Sequence, residues 1–399
     1  MKRSRYLIVG GGLTADSACR GIRKVDPDGP ILVVGEEPHL PYLRPPLSKA
    51  LWKGGDESAI WRGTEKLGVE LRLGRRIVAL DLDARTATDD GGESYRYEKL
   101  LLATGGRPRR LPFGAGDVVY FRTLDDYRRL RTLADGGARF CVIGGGFIGS
   151  ELAAALALNR CPVTLVLRGP GIGARIFPEE LSSALNEYYR GRDVDLLTEA
   201  AITGIERRGE IMQVTLGDGR AIEADAVVAG IGIEPNTELA AAAGLPVANG
   251  IVVDAYGRAG RDDVFAAGDV ARFPAAALAA ELRVEHEDHA KSHGRQVGAN
   301  MAGAGERYDH LPFFYSDLFD VGYEAVGDLD ARLDTLVDWT SVEGEGTITY
   351  LDQARRPRGL LLWNRLGHLD AARELIRAGE PVSSRRSGSH SFLHELPRR

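Results

Sequence analysis

Cysteine is scarce: Cys19, Cys141 and Cys161 are the only three in 399 residues. None is spaced C-x-x-C from another, so no thiol–disulfide relay is expected on the chain itself. The three read as small core side chains and fit a reducing, cytoplasmic setting. No apolar run of about 18 residues occurs, which excludes a spanning helix. A basic excess is also missing. Lys and Arg total 51 against 57 Asp and Glu, a net charge of −6, which disfavours nucleic acid as a partner. The chain opens Met-Lys-Arg-Ser-Arg and enters a strand pattern by Tyr6, so no signal or transit peptide is expected.

Glycine, by contrast, is abundant, with 50 residues, as many tight turns and phosphate loops require. Charged residues are 27% and hydrophobic ones 44%, ordinary for a globular chain long enough for about two to three domains. Two stretches use glycine alike. Tyr6-Leu-Ile-Val9 reads as a buried parallel strand, followed by Gly10-Gly-Gly12-Leu13-Thr14-Ala15 and a helix to about Lys24. Cys141-Val-Ile-Gly144-Gly-Gly146-Phe147-Ile148-Gly149-Ser-Glu151 repeats the device before an alanine-rich helix. In G-x-G-x-x-G/A the first glycine makes the turn and the second lets backbone approach a pyrophosphate. The third small residue packs helix on strand, and the helix N-terminus faces the anion. After the first unit, Ile31-Leu-Val-Val34 ends at Glu36, near where such a fold places the acid for a ribose hydroxyl. After the second, Cys161-Pro-Val-Thr-Leu-Val-Leu167 ends in Arg168-Gly169 with no acid. Arg168 suits a 2′-phosphate, as in NADP, or simply faces water; the second dinucleotide is therefore left open between the two forms.

Between the two units, Arg44 and Lys49 lie in a proline-stiffened stretch, suited to a diphosphate or to solvation. Arg76-Ile-Val78-Ala-Leu80 and its neighbours read as short strands. Leu100-Leu-Leu-Ala103-Thr104-Gly105 is a strand ending in a small-residue turn, and Pro108 to Pro112 reads as a linker. Further on, Ala224 to Asn236 runs a strand into a turn through Gly230 and Gly232. Asp263-Val-Phe-Ala-Ala-Gly268-Asp269 ends another strand in small residues and an aspartate; Asp269 as a bare helix cap is the plain alternative. His286, His289 and His293 fall at helical spacings, so metal binding, cofactor contact and a solvated polar helix face all fit, the last best for His289 and His293.

The stretch Glu36-Glu-Pro-His-Leu-Pro-Tyr-Leu-Arg-Pro-Pro-Leu-Ser-Lys49, with both glycine turns and Gly268-Asp269, resembles the FAD-dependent pyridine-nucleotide reductases. Within them it is most similar to the ferredoxin-reductase type, on its apoptosis-inducing-factor side. The resemblance spans about residues 5 to 380. It implies an α/β chain with two Rossmann-like dinucleotide-binding domains and a C-terminal α+β domain of dimerisation type. The expected division is 1–112 with 245–308 for FAD, 113–244 for NAD(P)H, 309–382 for the C-terminal domain, and 383–399 as a polar tail.

For FAD the resemblance implies Gly10, Gly12, Leu13, Thr14, Ala15, Glu36, Arg44, Lys49, Val78, Ala103, Thr104, Gly105, Arg122, Asp269, Glu285, His286 and Tyr315. Asp269 would bond the ribitol chain. For NAD(P)H it implies Gly144, Gly146, Phe147, Ile148, Gly149, Glu151, Arg168, Gly230 and Gly232. Lys49, Glu151 and His286 stand as the catalytic candidates, and no metal is expected. The implied activity is hydride transfer from NAD(P)H to FAD, then electron passage to a ferredoxin, a rubredoxin or a small acceptor. A slow redox-responsive flavoprotein and a monodehydroascorbate reductase share the pattern. A homodimer, a cytoplasmic location and no membrane partner complete the expectation.

Overall fold

The computed structural model describes residues 2–114 and 116–382. The polar tail expected from 383 lies outside the described residues. The chain divides into two compact units. Among the described residues, the first comprises 2–43, 56–107 and 234–312, and the second 44–55, 108–114, 116–233 and 313–382. The chain leaves the first unit after Arg107 and returns at Glu234, ahead of the expected boundary at 245. The proline-stiffened segment 44–55 belongs with the second unit and not, as expected, with 1–112.

The first unit is built on an eight-stranded sheet. Strand Lys2–Val9 pairs in parallel with Ile31–Gly35 on one side and with Ser94–Leu102 on the other. Glu70–Leu73 extends the sheet beyond Ile31–Gly35, and Val264–Ala266 extends it beyond Ser94–Leu102, both in parallel. Strands buried on both faces read as continuous apolar runs, as Tyr6 to Val9 and Leu100 to Leu102 do. Helix Leu13–Val25 leaves the sheet at the point where neighbours lie on both sides, the topological switch where such sheets bind ligands. Its partner is helix Glu287–Met301. A Cβ on Gly294 would lie 2.6 Å from the Thr14 carbonyl oxygen, and one on Gly298 would lie 2.2 Å from that of Ala18. Any larger side chain there would force the helices apart.

The second unit contains a five-stranded sheet in the order Val194–Leu197, Val163–Val166, Phe140–Ile143, Ala226–Ala229, Val118–Tyr120, all parallel. Helix Phe147–Leu158 follows the central strand and buries Leu152, Leu156 and the alanines between them. The same unit carries an antiparallel sheet ordered Phe313–Leu318, Val321–Gly327, Pro357–Trp363, Gly346–Leu351, Asp334–Trp339, closed by helix Leu369–Ala378. This is the α+β element expected from residue 309. Its core is aromatic: fully buried Trp363 stacks on Tyr323 with ring centroids 5.7 Å apart.

Candidate functional site

The two glycine turns are stereochemically alike. Gly10 has φ +123° and Gly144 φ +112°, a region that disfavours L side chains. A Cβ on Gly10 would stand 2.1 Å from the Ala103 carbonyl oxygen, and one on Gly144 would stand 2.5 Å from that of Gly230. Each following helix begins at a glycine N-cap, Gly12 or Gly146, with no side-chain cap. Around each of these the position of a Cβ meets no atom within 4 Å. That is an open approach to uncapped backbone N–H groups, the chemistry a dinucleotide diphosphate needs. FAD and NAD(P)H therefore fit these two turns.

In the first unit, Glu36 stands exposed just beyond strand Ile31–Gly35, as a ribose-binding acid requires. Asp269 returns to the first turn. Gly268 before it has φ +74°, and a Cβ there would meet Thr14 Oγ1 at 2.1 Å. Leu13 lies half-buried at the helix start, with Thr14 and Ala15 buried behind it. The Ala103-Thr104-Gly105 turn is held by Asn236: Thr104 Oγ1 donates to the Asn236 carbonyl at 2.8 Å, and Asn236 Nδ2 donates to that of Thr104 at 2.8 Å. Sequence reasoning quoted Asn236 only as the end of a strand and missed this role. Glu285 pairs with Arg283 at 2.8 Å. His286 is the N-cap of the last helix of this unit, and desolvation pushes it down to about 4, so it is neutral at pH 7.

One expectation in this unit needs correction. His289 and His293 do not form a solvated face; both are fully buried, packed on Phe273 and Tyr308. His293 Nδ1 accepts from the Gly268 N–H at 3.4 Å, bracing the turn that carries Asp269. Val78 points outward, 49% exposed, because strand residues alternate and its neighbour Ile77 takes the buried side. Among the described residues no cluster of three or more His, Cys, Asp or Glu could hold a metal ion.

In the second unit the catalytic candidates Lys49 and Glu151 meet. Lys49 Nζ lies 2.7 Å from Glu151 Oε1, with the side chains 9% and 3% exposed. Ser48 Oγ donates to Glu151 Oε2 at 2.6 Å, and Ser316 Oγ donates to Oε1 at 2.6 Å. A buried ion pair survives when its remaining lone pairs are satisfied, and the two serines do this. Lys49 Nζ also stands 5.2 Å from the Tyr315 ring centroid. Arg44 Nη1 donates to the Arg122 carbonyl at 2.6 Å.

On the nicotinamide turn, Phe147 is 39% exposed and packs against Phe314 at 5.0 Å, while Ile148 is half-buried. Gly149 is tight: a Cβ there would lie 1.8 Å from the Gly144 carbonyl oxygen. Gly230 backs onto Gly149, and the Gly232 carbonyl accepts from the Arg109 N–H at 2.9 Å. Arg168 is exposed next to an open Gly169. Leu167, where a ribose acid would otherwise sit, is buried beneath Gly145.

Comparisons with known proteins agree. The family model described as pyridine nucleotide-disulphide oxidoreductase matches residues 4–294, and the C-terminal model of mitochondrion-associated apoptosis-inducing factor matches 297–347. The chain belongs to the pyridine nucleotide-disulphide oxidoreductase family. It is 36% identical over 392 residues to the ferredoxin–NAD(+) reductase component of an anthranilate 1,2-dioxygenase system from Burkholderia cepacia, covering 95% of each chain. It is 32% identical over 419 residues to mitochondrial apoptosis-inducing factor 1 of Dictyostelium discoideum, covering 94% of this chain and 79% of the relative. The crystal structure of a covalent putidaredoxin reductase–putidaredoxin complex aligns with TM-score 0.89 at 30% identity, covering 96% of this chain and 95% of that one. The protein is thus an NAD(P)H-dependent FAD oxidoreductase of the ferredoxin-reductase type. Among the described residues no helix is long and apolar enough to cross a membrane.

Proposed function

We propose that this oxidoreductase passes electrons from NAD(P)H through FAD, singly, to a small one-electron redox protein of the ferredoxin kind. The observation that carries the reading is the state of the cysteines. All three are buried and unpaired. Burial pushes Cys19 and Cys141 up to about 12 and Cys161 upward. A thiol relay needs an accessible thiolate with a partner in reach, and neither condition is met. Electrons therefore leave from the flavin itself. Bound FAD supplies the chemistry, taking a hydride and releasing single electrons.

The chain's own residues bind and orient. The turn at Gly10 to Ala15, with Glu36 and Asp269, holds FAD. The turn at Gly144 to Gly149 holds the nicotinamide dinucleotide, and Phe147 covers its open side. Lys49, ion-paired with Glu151 at 2.7 Å, supplies a cation. Similarity to putidaredoxin reductase and to a ferredoxin–NAD(+) reductase supports the choice of acceptor. The match to the apoptosis-inducing-factor C-terminal model keeps a second reading, a slow redox-responsive flavoprotein. Stopped-flow reduction by NADH and NADPH, followed by mixing with a ferredoxin, separates them. Fast reduction and rapid reoxidation are expected. A reduced form that forms slowly and persists beside oxidised ferredoxin would refute the electron-transfer role.

A further inference from the structure

The second dinucleotide unit has no acid where its strand Val163–Val166 ends, and the residue in that place is turned inward. Leu167 is buried, and a Cβ on Gly145 would stand 2.9 Å from its Cδ2, so it packs beneath the glycine turn. The next strand, Val194–Leu197, runs parallel beside it and ends at the same edge of the sheet. Three backbone hydrogen bonds lace the two loops that leave these strands. Leu167 N–H donates to the Leu197 carbonyl at 2.8 Å, Ala200 N–H to that of Leu167 at 2.9 Å, and Glu199 N–H to that of Gly169 at 2.9 Å. Glu199 is thereby held against the residue that follows Arg168. Glu199 and Arg168 are both exposed, and a Cβ on Gly169 would meet nothing within 4 Å. Among the described residues, neither the Glu199 nor the Arg168 side chain has a hydrogen bond or an ion pair. Glu199 also keeps a backbone that its type avoids: its φ is +53°, in the left-handed region that favours glycine or asparagine. A glutamate retained there, at the C-terminal edge of a parallel sheet, points to a functional position.

We propose that Glu199 supplies the ribose-binding carboxylate of the nicotinamide site, in place of the acid missing at Leu167, and so selects NADH over NADPH. The adenosine ribose hydroxyls of NADH donate to a carboxylate at this edge. The 2′-phosphate of NADPH, carrying about −1.5 to −2 charges at pH 7, is repelled by it. Specificity then has an attractive and a repulsive part on one side chain. The exposed Arg168 guanidinium offsets some of the repulsion, so the native preference is moderate. With the Glu199 charge removed, Arg168 alone is left to favour phosphate. This assignment deepens the function proposed above, resting on its nicotinamide donor and not on its acceptor.

The test is isothermal titration calorimetry of the FAD-loaded protein with ADP-ribose and with 2′-phospho-ADP-ribose. The FAD site is filled and no electron acceptor is present, so a wrong acceptor leaves the result intact. The native protein should bind ADP-ribose more tightly, by about tenfold. In Glu199→Gln, ADP-ribose should weaken by about tenfold or more while 2′-phospho-ADP-ribose holds or tightens, reversing the order. NADH kinetics should follow, with KM raised and kcat nearly unchanged, because the contact is remote from the hydride. Glu199→Gly, which suits φ +53°, should lose the same ADP-ribose affinity yet unfold at no lower temperature. A merely structural glutamate would show the reverse. Tighter binding of 2′-phospho-ADP-ribose by the native protein, or an ADP-ribose affinity unchanged in Glu199→Gln, overturns the proposal.

Discussion

The buried histidines make the first unit acid-labile, and His293 shows by how much. It is fully buried between Phe273, His289 and Tyr308, and desolvation pushes it from 6.5 down to about 3. The unfolded chain takes up this proton below about 6.5, whereas the folded chain resists until about pH 3. Stability is therefore complete above 6.5 and is lost as pH falls through the window between the two values. At pH 5, 1.5 units below the unfolded value, the loss from this one group is about 2 kcal/mol at 1.36 kcal/mol per unit. That is a large share of a typical total of about 5–15 kcal/mol. His286 and His289 shift in the same direction, the latter through burial and then repulsion from its neighbouring histidines. Urea unfolding of native protein and His293→Asn, at pH 7.5 and pH 5.0, isolates the term. The asparagine carbonyl can still accept from Gly268 N–H, and the carboxylates titrate alike in both proteins. The variant should lose about 2 kcal/mol less than the native protein between the two pH values. Equal losses would show that His293 is protonated in the folded state and that its burial does not govern its titration.

Two further outcomes follow from the nicotinamide turn. Arg168→Glu places a carboxylate where the strand now ends in an exposed guanidinium, so the NADPH-to-NADH ratio of kcat/KM should fall by about tenfold or more; an unchanged ratio means that Arg168 only faces water. Gly149→Ala puts a Cβ 1.8 Å from the Gly144 carbonyl oxygen and should cost about 1–3 kcal/mol in thermal unfolding, with weakened NAD(P)H binding, whereas Gly146→Ala meets open space and should spare the fold while still impairing the dinucleotide.

What was legible in the sequence was local. Each glycine turn sits within a dozen residues of its strand and helix, so spacing alone announces it. The return of Asp269 to the first turn was legible too, because a second complete dinucleotide unit stands between them and the first sheet needs its closing strand. The clamp on Glu151 was not. Ser48 and Ser316 lie 103 and 165 residues from it, and isolated serines carry no periodicity. Histidines 289 and 293 misled for a related reason. Polar residues at helical spacing look like a solvent face until Phe273 and Tyr308 arrive from other segments to cover them. The grouping of 44–55 with the second unit was not legible either, because a proline-stiffened path shows where the chain is rigid, not which sheet it packs on.

One difference between the two turns carries more than it first shows. The third small residue is Ala15 in the first and Gly149 in the second. Ala15 is fully buried, so the first turn has room for a methyl group between helix and strand. The second has none, since Gly149 is pressed between the Gly144 carbonyl and Gly230. Its helix therefore runs closer to its sheet than a methyl group would permit. That same helix carries Glu151 two residues later, buried against Lys49. The missing methyl lets the helix start lie close against the Gly144 carbonyl, and Glu151 meets its cation from the same helix start. A substitution at Gly149 is a perturbation of the ion pair as well as of the nucleotide turn.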